Sequence, residues 1–167
     1  RDHERMERDG LPKELWFKSR VNMVIPKEIS PAEGTMIITW RETYSYMRRL
    51  CMGNRRRTIL ILGSGSNALA FAVHARNMGF ERIVVVGSMK RRTLFQRASG
   101  AEYVDYHISD LADALRMLVR DGFDVILDAI GKNGMLDRVA AGVCPNGTVG
   151  IYGWDDYFTN SIRPLMI

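Results

Sequence analysis

Thr58-Ile59-Leu60-Ile61-Leu62-Gly63-Ser64-Gly65-Ser66-Asn67-Ala68-Leu69-Ala70-Phe71-Ala72 is the stretch that decides the fold. An apolar run ends in Gly63-x-Gly65-x-x-Ala68 and passes directly into small helix-forming residues. The pattern predicts strand 58–62, a glycine turn, and a helix over 66–78. Gly63 permits the tight turn, Gly65 lets the backbone approach a pyrophosphate, and Ala68 lets helix and strand pack closely. The helix start then offers free N–H groups and partial positive charge to phosphates.

Outward from this turn the chain alternates. Strands are expected at 82–86, 103–105, 124–128 and 147–152, and helices at 90–99, 109–120 and 133–141. Ile59–Leu62, Ile83–Val86 and Val125–Leu127 are continuous apolar runs, as in parallel strands covered on both faces. The alternation predicts a doubly wound α/β domain, a Rossmann-like parallel sheet with helices on both faces. Upstream, Trp16–Ile25 reads as a strand stopped by Pro26. Ser30-Pro31-Ala32-Glu33 is a capping box with proline at the first helical position. The helix it opens is expected to reach about Leu50, with Met36, Ile37, Trp40, Tyr44 and Met47 as its apolar stripe. Three segments result: 1–29 as lead-in and interdomain strand, 30–155 as the dinucleotide-binding domain with a joining helix, and 156–167 as a tail or the start of a further strand.

A chain of 167 residues can bury one real core. No apolar stretch reaches transmembrane length, so no membrane partner is expected. The N-terminus, Arg1-Asp2-His3-Glu4-Arg5, is charged and is not a signal peptide. It also lacks an initial Met, and we expect a piece of a longer protein. Cys51 and Cys144 are far apart and fit neither a disulfide framework nor a zinc cluster, which suits a reduced, cytoplasmic setting. The net charge of +5 raises nucleic acid as a partner. The basic residues, however, cluster at element ends without interleaved aromatic residues, so none is expected.

The end of the second strand bears on the cofactor. NAD sites usually place Asp or Glu there, to accept from the ribose hydroxyls. This chain has Gly87-Ser88-Met89-Lys90-Arg91-Arg92 instead. Gly87 leaves room, Ser88 can donate, and Lys90 and Arg91 bring the charge that suits a 2′-phosphate. NADP is favoured, with NAD left open.

Four stretches together resemble the cofactor-binding domain of the medium-chain dehydrogenase/reductase family, the zinc alcohol and sorbitol dehydrogenase group. They are Ile61–Ala68, Arg97–Val104, the Gly122-Phe123-Asp124-Val125-Ile126-Leu127-Asp128-Ala129-Ile130-Gly131 run, and Pro145–Gly153. The helix before them resembles the family's joining helix. The resemblance implies that Gly63, Ser64, Gly65, Ser66, Asn67 and Ala68 face the pyrophosphate. It implies that Gly87, Ser88, Lys90 and Arg91 hold the adenosine ribose and its phosphate, and that Ala129, Ile130 and Gly131 border the adenine side. Tyr152, Gly153 and Trp154 fall near the nicotinamide. The implied activity is hydride transfer between nicotinamide and a small alcohol or carbonyl substrate, in a parent that is a homo-oligomer. The family's catalytic domain precedes this region, so any zinc belongs there and the fragment alone is expected to be inactive. Ile38 stands where the sorbitol-dehydrogenase branch carries a glutamate.

Other residues read more plainly. His74 and His107 lack neighbours at ligand spacing and read as structural or surface residues, so no metal residues are expected. Asp124 and Asp128 read as a cap and a strand-end hydrogen-bonding group. Thr43 is a weak catalytic candidate on the joining helix, and the stripe Met36, Met47, Met52 reads as core packing. Three rivals stay open: a nucleotide-sensing module without catalysis, an S-adenosylmethionine-dependent methyltransferase, and an interaction domain whose turn holds water or an adventitious anion.

Overall fold

Strand β1 (Thr58–Leu62) sits at the centre of a five-stranded sheet of order β3-β2-β1-β4-β5, and every adjacent pair is parallel. Its neighbours are β2 (Arg82–Gly87) and β4 (Phe123–Asp128), flanked by β3 (Glu102–Asp105) and β5 (Val143–Ile151). The computed structural model describes residues 2–10, 12, 25–53, 57–132 and 134–154. The chain forms two compact units, residues 1–37 and 38–167.

The sheet explains the unbroken apolar runs. Ile59 and Ile61 face one core with Val85, Val125, Leu127, Phe71, Ala75 and Phe95. Leu60 and Leu62 face the other, with Val84, Val86, Leu111, Leu115, Ile126 and Val139. Alternate residues of one strand therefore feed opposite layers, which is why Ile59 to Leu62 are apolar without a break. Each such side chain contributes about 1.5–3 kcal/mol by leaving water. Helices α4 (Ser66–Asn77) and α5 (Arg92–Ser99) cover the first face, and α6 (Leu111–Leu118) covers the second. A 3-10 turn, Met89–Arg91, precedes α5. Gly100 closes α5 in the left-handed conformation at φ 71°, where glycine pays no steric penalty.

The first unit contains α1 (Asp2–Arg8) and α2 (Pro31–Gly34). The expected capping box forms: the Ser30 hydroxyl accepts from the Glu33 amide at 3.3 Å, and Glu33 accepts from the Ser30 amide at 2.9 Å. The helix it opens is not continuous to Leu50. It stops at Gly34, and α3 (Ile37–Leu50) begins after a two-residue turn. The Met36 amide bonds Glu33 three residues back, and the Thr35 hydroxyl takes the Ala32 carbonyl at 2.7 Å. A glycine followed by a β-branched residue with a competing hydroxyl favours that break.

Further corrections concern the methionines, one helix and the ends. Met47 is fully buried, but Met36 and Met52 are exposed, so the three do not form one core stripe. Trp40 and Tyr44 are also more than 40% exposed; α3 meets the core at its C-terminal half, where Tyr46 donates to the Ile151 carbonyl at 2.8 Å. Of the helix expected over 133–141, residue 133 lies outside the described residues, and 134–139 are turns that lead into a 3-10 helix, Ala140–Gly142. Gly134 is left-handed, and the Arg138 guanidinium reaches the Tyr106 and Ile108 carbonyls while Leu136 and Val139 fill the second core. Those tertiary contacts override helical spacing. Strand β5 starts four residues earlier than expected, at Val143. Of the expected strand at Trp16–Ile25, residues 16–24 lie outside the described residues, as does the tail 156–167; Ile25 itself is not in a strand.

Candidate functional site

The strand order reverses between β1 and β4: β2 and β3 continue to one side, β4 and β5 to the other. Parallel sheets open a crevice at the carboxyl ends of the strands at that point. Gly63–Ala68, Gly87–Arg91, Ala129–Gly131 and Tyr152–Trp154 all follow the carboxyl ends of β1, β2, β4 and β5, and the structure brings these four stretches to one edge.

Gly63 leaves β1 at φ 127°, a conformation that favours glycine. Its amide donates to the Val86 carbonyl at 2.8 Å, and a Cβ there would lie 3.1 Å from Ile130 and 3.4 Å from Ala68. Ala68, itself buried, thus packs close against the turn. Gly65 differs: it is the N-cap of α4, and a Cβ on it would meet no atom of the described residues within 4 Å. The fold itself does not demand glycine there, whereas close approach of a ligand to the backbone would. Ser66, Asn67 and Ala68 supply the first-turn amides of α4, which have no carbonyl one turn back. The cradle fits a pyrophosphate.

At the end of β2, Gly87 is enclosed. A Cβ there would overlap the Tyr103 hydroxyl and lie 2.8 Å from Ser64 Cβ. The Tyr103 hydroxyl donates to the Ser88 carbonyl at 3.0 Å, and the Ser88 amide donates to Ser64 Oγ at 3.3 Å. Burial pushes the Tyr103 phenol above its ordinary pKa, against opposing pulls from the Ser64 hydrogen bond and the Arg91 charge. Lys90 and Arg91 are exposed and, among the described residues, form no ion pair. Tyr103 is the site residue that sequence reasoning missed. The available signal was an aromatic hydroxyl on the strand beside an acid-free β2 end.

The other wall is held by Asp128, only 3% exposed. Its carboxylate Oδ1 accepts from the Ile130 and Gly131 amides at 2.9 and 3.0 Å. Its carbonyl accepts from the Tyr152 and Gly153 amides at 2.8 and 3.0 Å. One residue thus ties the loop after β4 to the loop after β5. Gly131 has φ 75°, and a Cβ on it would lie 2.6 Å from the Gly153 oxygen; a Cβ on Gly153 would overlap the Ile130–Gly131 peptide. The Tyr152 ring turns away from the crevice edge into the α3–α4 packing, edge-on to Phe71 at 4.8 Å and Tyr46 at 5.2 Å. Trp154 is two-thirds exposed.

Thr43 lies elsewhere. It is fully buried, donates to the Thr39 carbonyl at 2.7 Å, and sits 3.1 Å from His74 Nε2. Its hydroxyl is committed to packing α3 against α4. His74 is buried between Trp40 and Tyr44, and burial holds its pKa below the ordinary value. His107 is exposed and bonds Asp105 at 2.9 Å. Asp124 accepts from the Arg57 and Thr58 amides and caps the start of β1 rather than entering the crevice. Among the described residues no three His, Cys, Asp or Glu side chains gather into a group that could hold a metal ion. Among them, too, no helix is long and apolar enough to cross a membrane.

Known proteins match this arrangement. A sequence search of curated proteins found no match. Among solved structures, 2R,3R-butanediol dehydrogenase from Bacillus subtilis superposes with a TM-score of 0.72 at 19% identity over 86% of this chain and 41% of its own. An Escherichia coli oxidoreductase/dehydrogenase of unknown specificity gives 0.76 at 19% identity, over 86% of this chain and 41% of its own. A Sinorhizobium meliloti protein described as a zinc-binding dehydrogenase, bound to NADP, gives 0.72 at 22% identity over 86% of this chain and 43% of its own. The chain thus spans about two-fifths of the length of these proteins, and at such identities they show the shared fold. The sequence model of the zinc-binding dehydrogenases matches residues 65–166, from the second glycine of the turn through β5 and beyond. With the Rossmann-like sheet and the glycine cradle, that match over more than half of its length establishes that the chain belongs to the zinc-binding, medium-chain dehydrogenase family of oxidoreductases.

Proposed function

We propose that this chain is the cofactor-binding part of an alcohol or polyol dehydrogenase and binds a nicotinamide dinucleotide, NADP in preference to NAD. The observation that carries the reading is Gly65, a glycine that packing among the described residues does not require, at the N-cap of α4, in a chain whose β2 end has no acid. The NADP bound to the Sinorhizobium relative supports the same reading.

Each wall then has a task. The Ser66, Asn67 and Ala68 amides hold the pyrophosphate by hydrogen bonds and the helix dipole. Ser88, Lys90 and Arg91 take the 2′-phosphate, where cations bind more strongly than the neutral hydroxyls they would meet in NAD. Ala129, Ile130 and Gly131 form an apolar edge for the adenosine. Asp128 keeps Gly153 and Trp154 beside that edge and so fixes where the nicotinamide end lies. When bound, the nicotinamide supplies the hydride-accepting and hydride-donating carbon, and the protein supplies position and exclusion of water. Substrate binding, proton transfer and any zinc belong to the remainder of a longer, cytoplasmic, homo-oligomeric parent.

Calorimetric titration of the 167-residue chain with NADPH, NADH and S-adenosylmethionine tests this. NADPH is expected to bind in the micromolar range and more tightly than the other two. Binding of none of them better than millimolar refutes the cofactor reading. A tenfold preference for NADH, about 1.4 kcal/mol, refutes the 2′-phosphate assignment alone.

A further inference from the structure

Gly87 and Tyr103 lie opposite each other on adjacent parallel strands, offset by two places, since Gly87 pairs with Asp105 and Val85 with Tyr103. The Tyr103 ring leans along β3 toward the carboxyl end, packs against Phe95 at 5.4 Å, and carries its hydroxyl into the space a side chain at 87 would occupy. That hydroxyl is bonded to the Ser88 carbonyl and to Ser64. The Ser88 carbonyl also accepts the Arg91 amide at 2.9 Å, which closes the Met89–Arg91 turn. A single phenol oxygen therefore meets the glycine turn after β1, the end of β2, and the anchor of the basic turn.

We propose that Tyr103 is a specificity-determining positioning residue: its hydroxyl fills the space an acid at position 87 would need, and its bond to Ser88 sets the Lys90–Arg91 turn for a 2′-phosphate. The inference rests on the NADP reading above and adds a mechanism to it. Absence of an acid is then more than the loss of a ribose partner. The site is closed against one, because any Cβ at 87 also lies 2.8 Å from Ser64 Cβ and 3.2 Å from the Gly63 carbonyl.

Two measurements test it. Tyr103→Phe keeps the ring and removes the hydroxyl. NADPH affinity is expected to fall about fivefold, the equivalent of one ordinary hydrogen bond, with NADH affinity within about twofold. A merely structural tyrosine would weaken both nucleotides alike, so the NADPH-to-NADH ratio is the deciding readout. If the parent chain prefers NADPH and Tyr103→Phe leaves that ratio unchanged, the positioning role fails and the NADP reading stands. If the unaltered chain shows no NADPH preference, the NADP reading fails and takes this inference with it. The second measurement needs no ligand. Gly87→Ala is expected to lower the melting temperature more in the unaltered chain than in the Tyr103→Phe background, because the variant clears one of the overlapping atoms. Equal losses in the two backgrounds would overturn the steric half of the proposal.

Discussion

Replacing Asp128 by alanine should loosen the loop after β4, whose amides its carboxylate holds, while the Asp128 carbonyl goes on holding the loop after β5. The Gly131 amide that Asp128 holds is buried, and the Ile130 amide is half-buried. An unpaired buried donor costs about 1–3 kcal/mol, and a partly wet one less. The sum is about 2–4 kcal/mol, a large share of the stability of an ordinary domain, which is about 5–15 kcal/mol. For a folding unit of this size that corresponds to a fall of roughly 6–16 °C in melting temperature. Asp128→Asn keeps an oxygen at Oδ1 and so both acceptor contacts, and should lose only about 1 kcal/mol. Urea denaturation of the three proteins, followed by far-UV circular dichroism, measures the difference. NADPH titration of Asp128→Asn then reports whether the loop still seats a nucleotide. If alanine and asparagine cost the same, or if alanine costs under about 1 kcal/mol, the carboxylate does not hold the loop after β4 and the argument fails.

Three further outcomes are expected. His74 has a pKa lowered by burial, so below about 6.5 the unfolded chain takes up a proton that the folded chain resists; urea midpoints should fall on acidification from about pH 7.5 to 5.5, and less so in His74→Gln. A midpoint that rises on acidification would contradict this. Gly131→Ala should cost about 2–5 kcal/mol, since it combines a left-handed φ with overlap on Gly153, whereas Gly134→Ala, at the same φ with open space around it, should cost about 1–2 kcal/mol by thermal melts. Lys90→Gln and Arg91→Gln should each weaken NADPH binding about tenfold, equivalent to one charge-assisted bond, and flatten its salt dependence while leaving NADH unchanged; equal losses for both nucleotides would show that the side chains meet some other group.

What the sequence discloses about this fold depends on how local each cause is. The β1–turn–α4 unit is read correctly because Ile59–Leu62, Gly63 and Ala68 meet one another within a few residues. The same holds for the Ser30–Glu33 capping box. The segment 133–141 is misread because its conformation is decided by Arg138 reaching carbonyls some thirty residues earlier. Tyr103 is missed for a similar reason: it stands 16 positions beyond Gly87, and only strand pairing brings its hydroxyl to that glycine. Thr43 shows the converse. A hydroxyl on the joining helix looks available in sequence, yet its backbone acceptor lies one turn away and His74 closes the remaining side.

Arg82 at one end of the sheet and Lys90 and Arg91 at the other stand in different surroundings, and the difference bears on function. At the amino ends, Arg82 and Asp124 are each engaged by neighbouring groups. Arg82 grips Glu102 with two nitrogens and also reaches the Leu118 carbonyl, and Asp124 takes the amides that open β1. A cavity of about 890 Å³ lies there, and Arg82 and Asp124, both engaged in these bonds, are among the residues lining it. At the carboxyl ends, glycines at 63, 87, 131 and 153 bring backbones together, and the exposed Lys90 and Arg91 lead into α5 without an ionic partner among the described residues. Cations at a helix start oppose its dipole by about 0.3–1 kcal/mol each. A fold shaped by stability alone would place an acid there, as it places Glu33 in the first turn of α2. A local cost beside a cradle that the packing does not require is what an anionic ligand offsets, and the group that would sit there carries its charge one ribose away from the pyrophosphate.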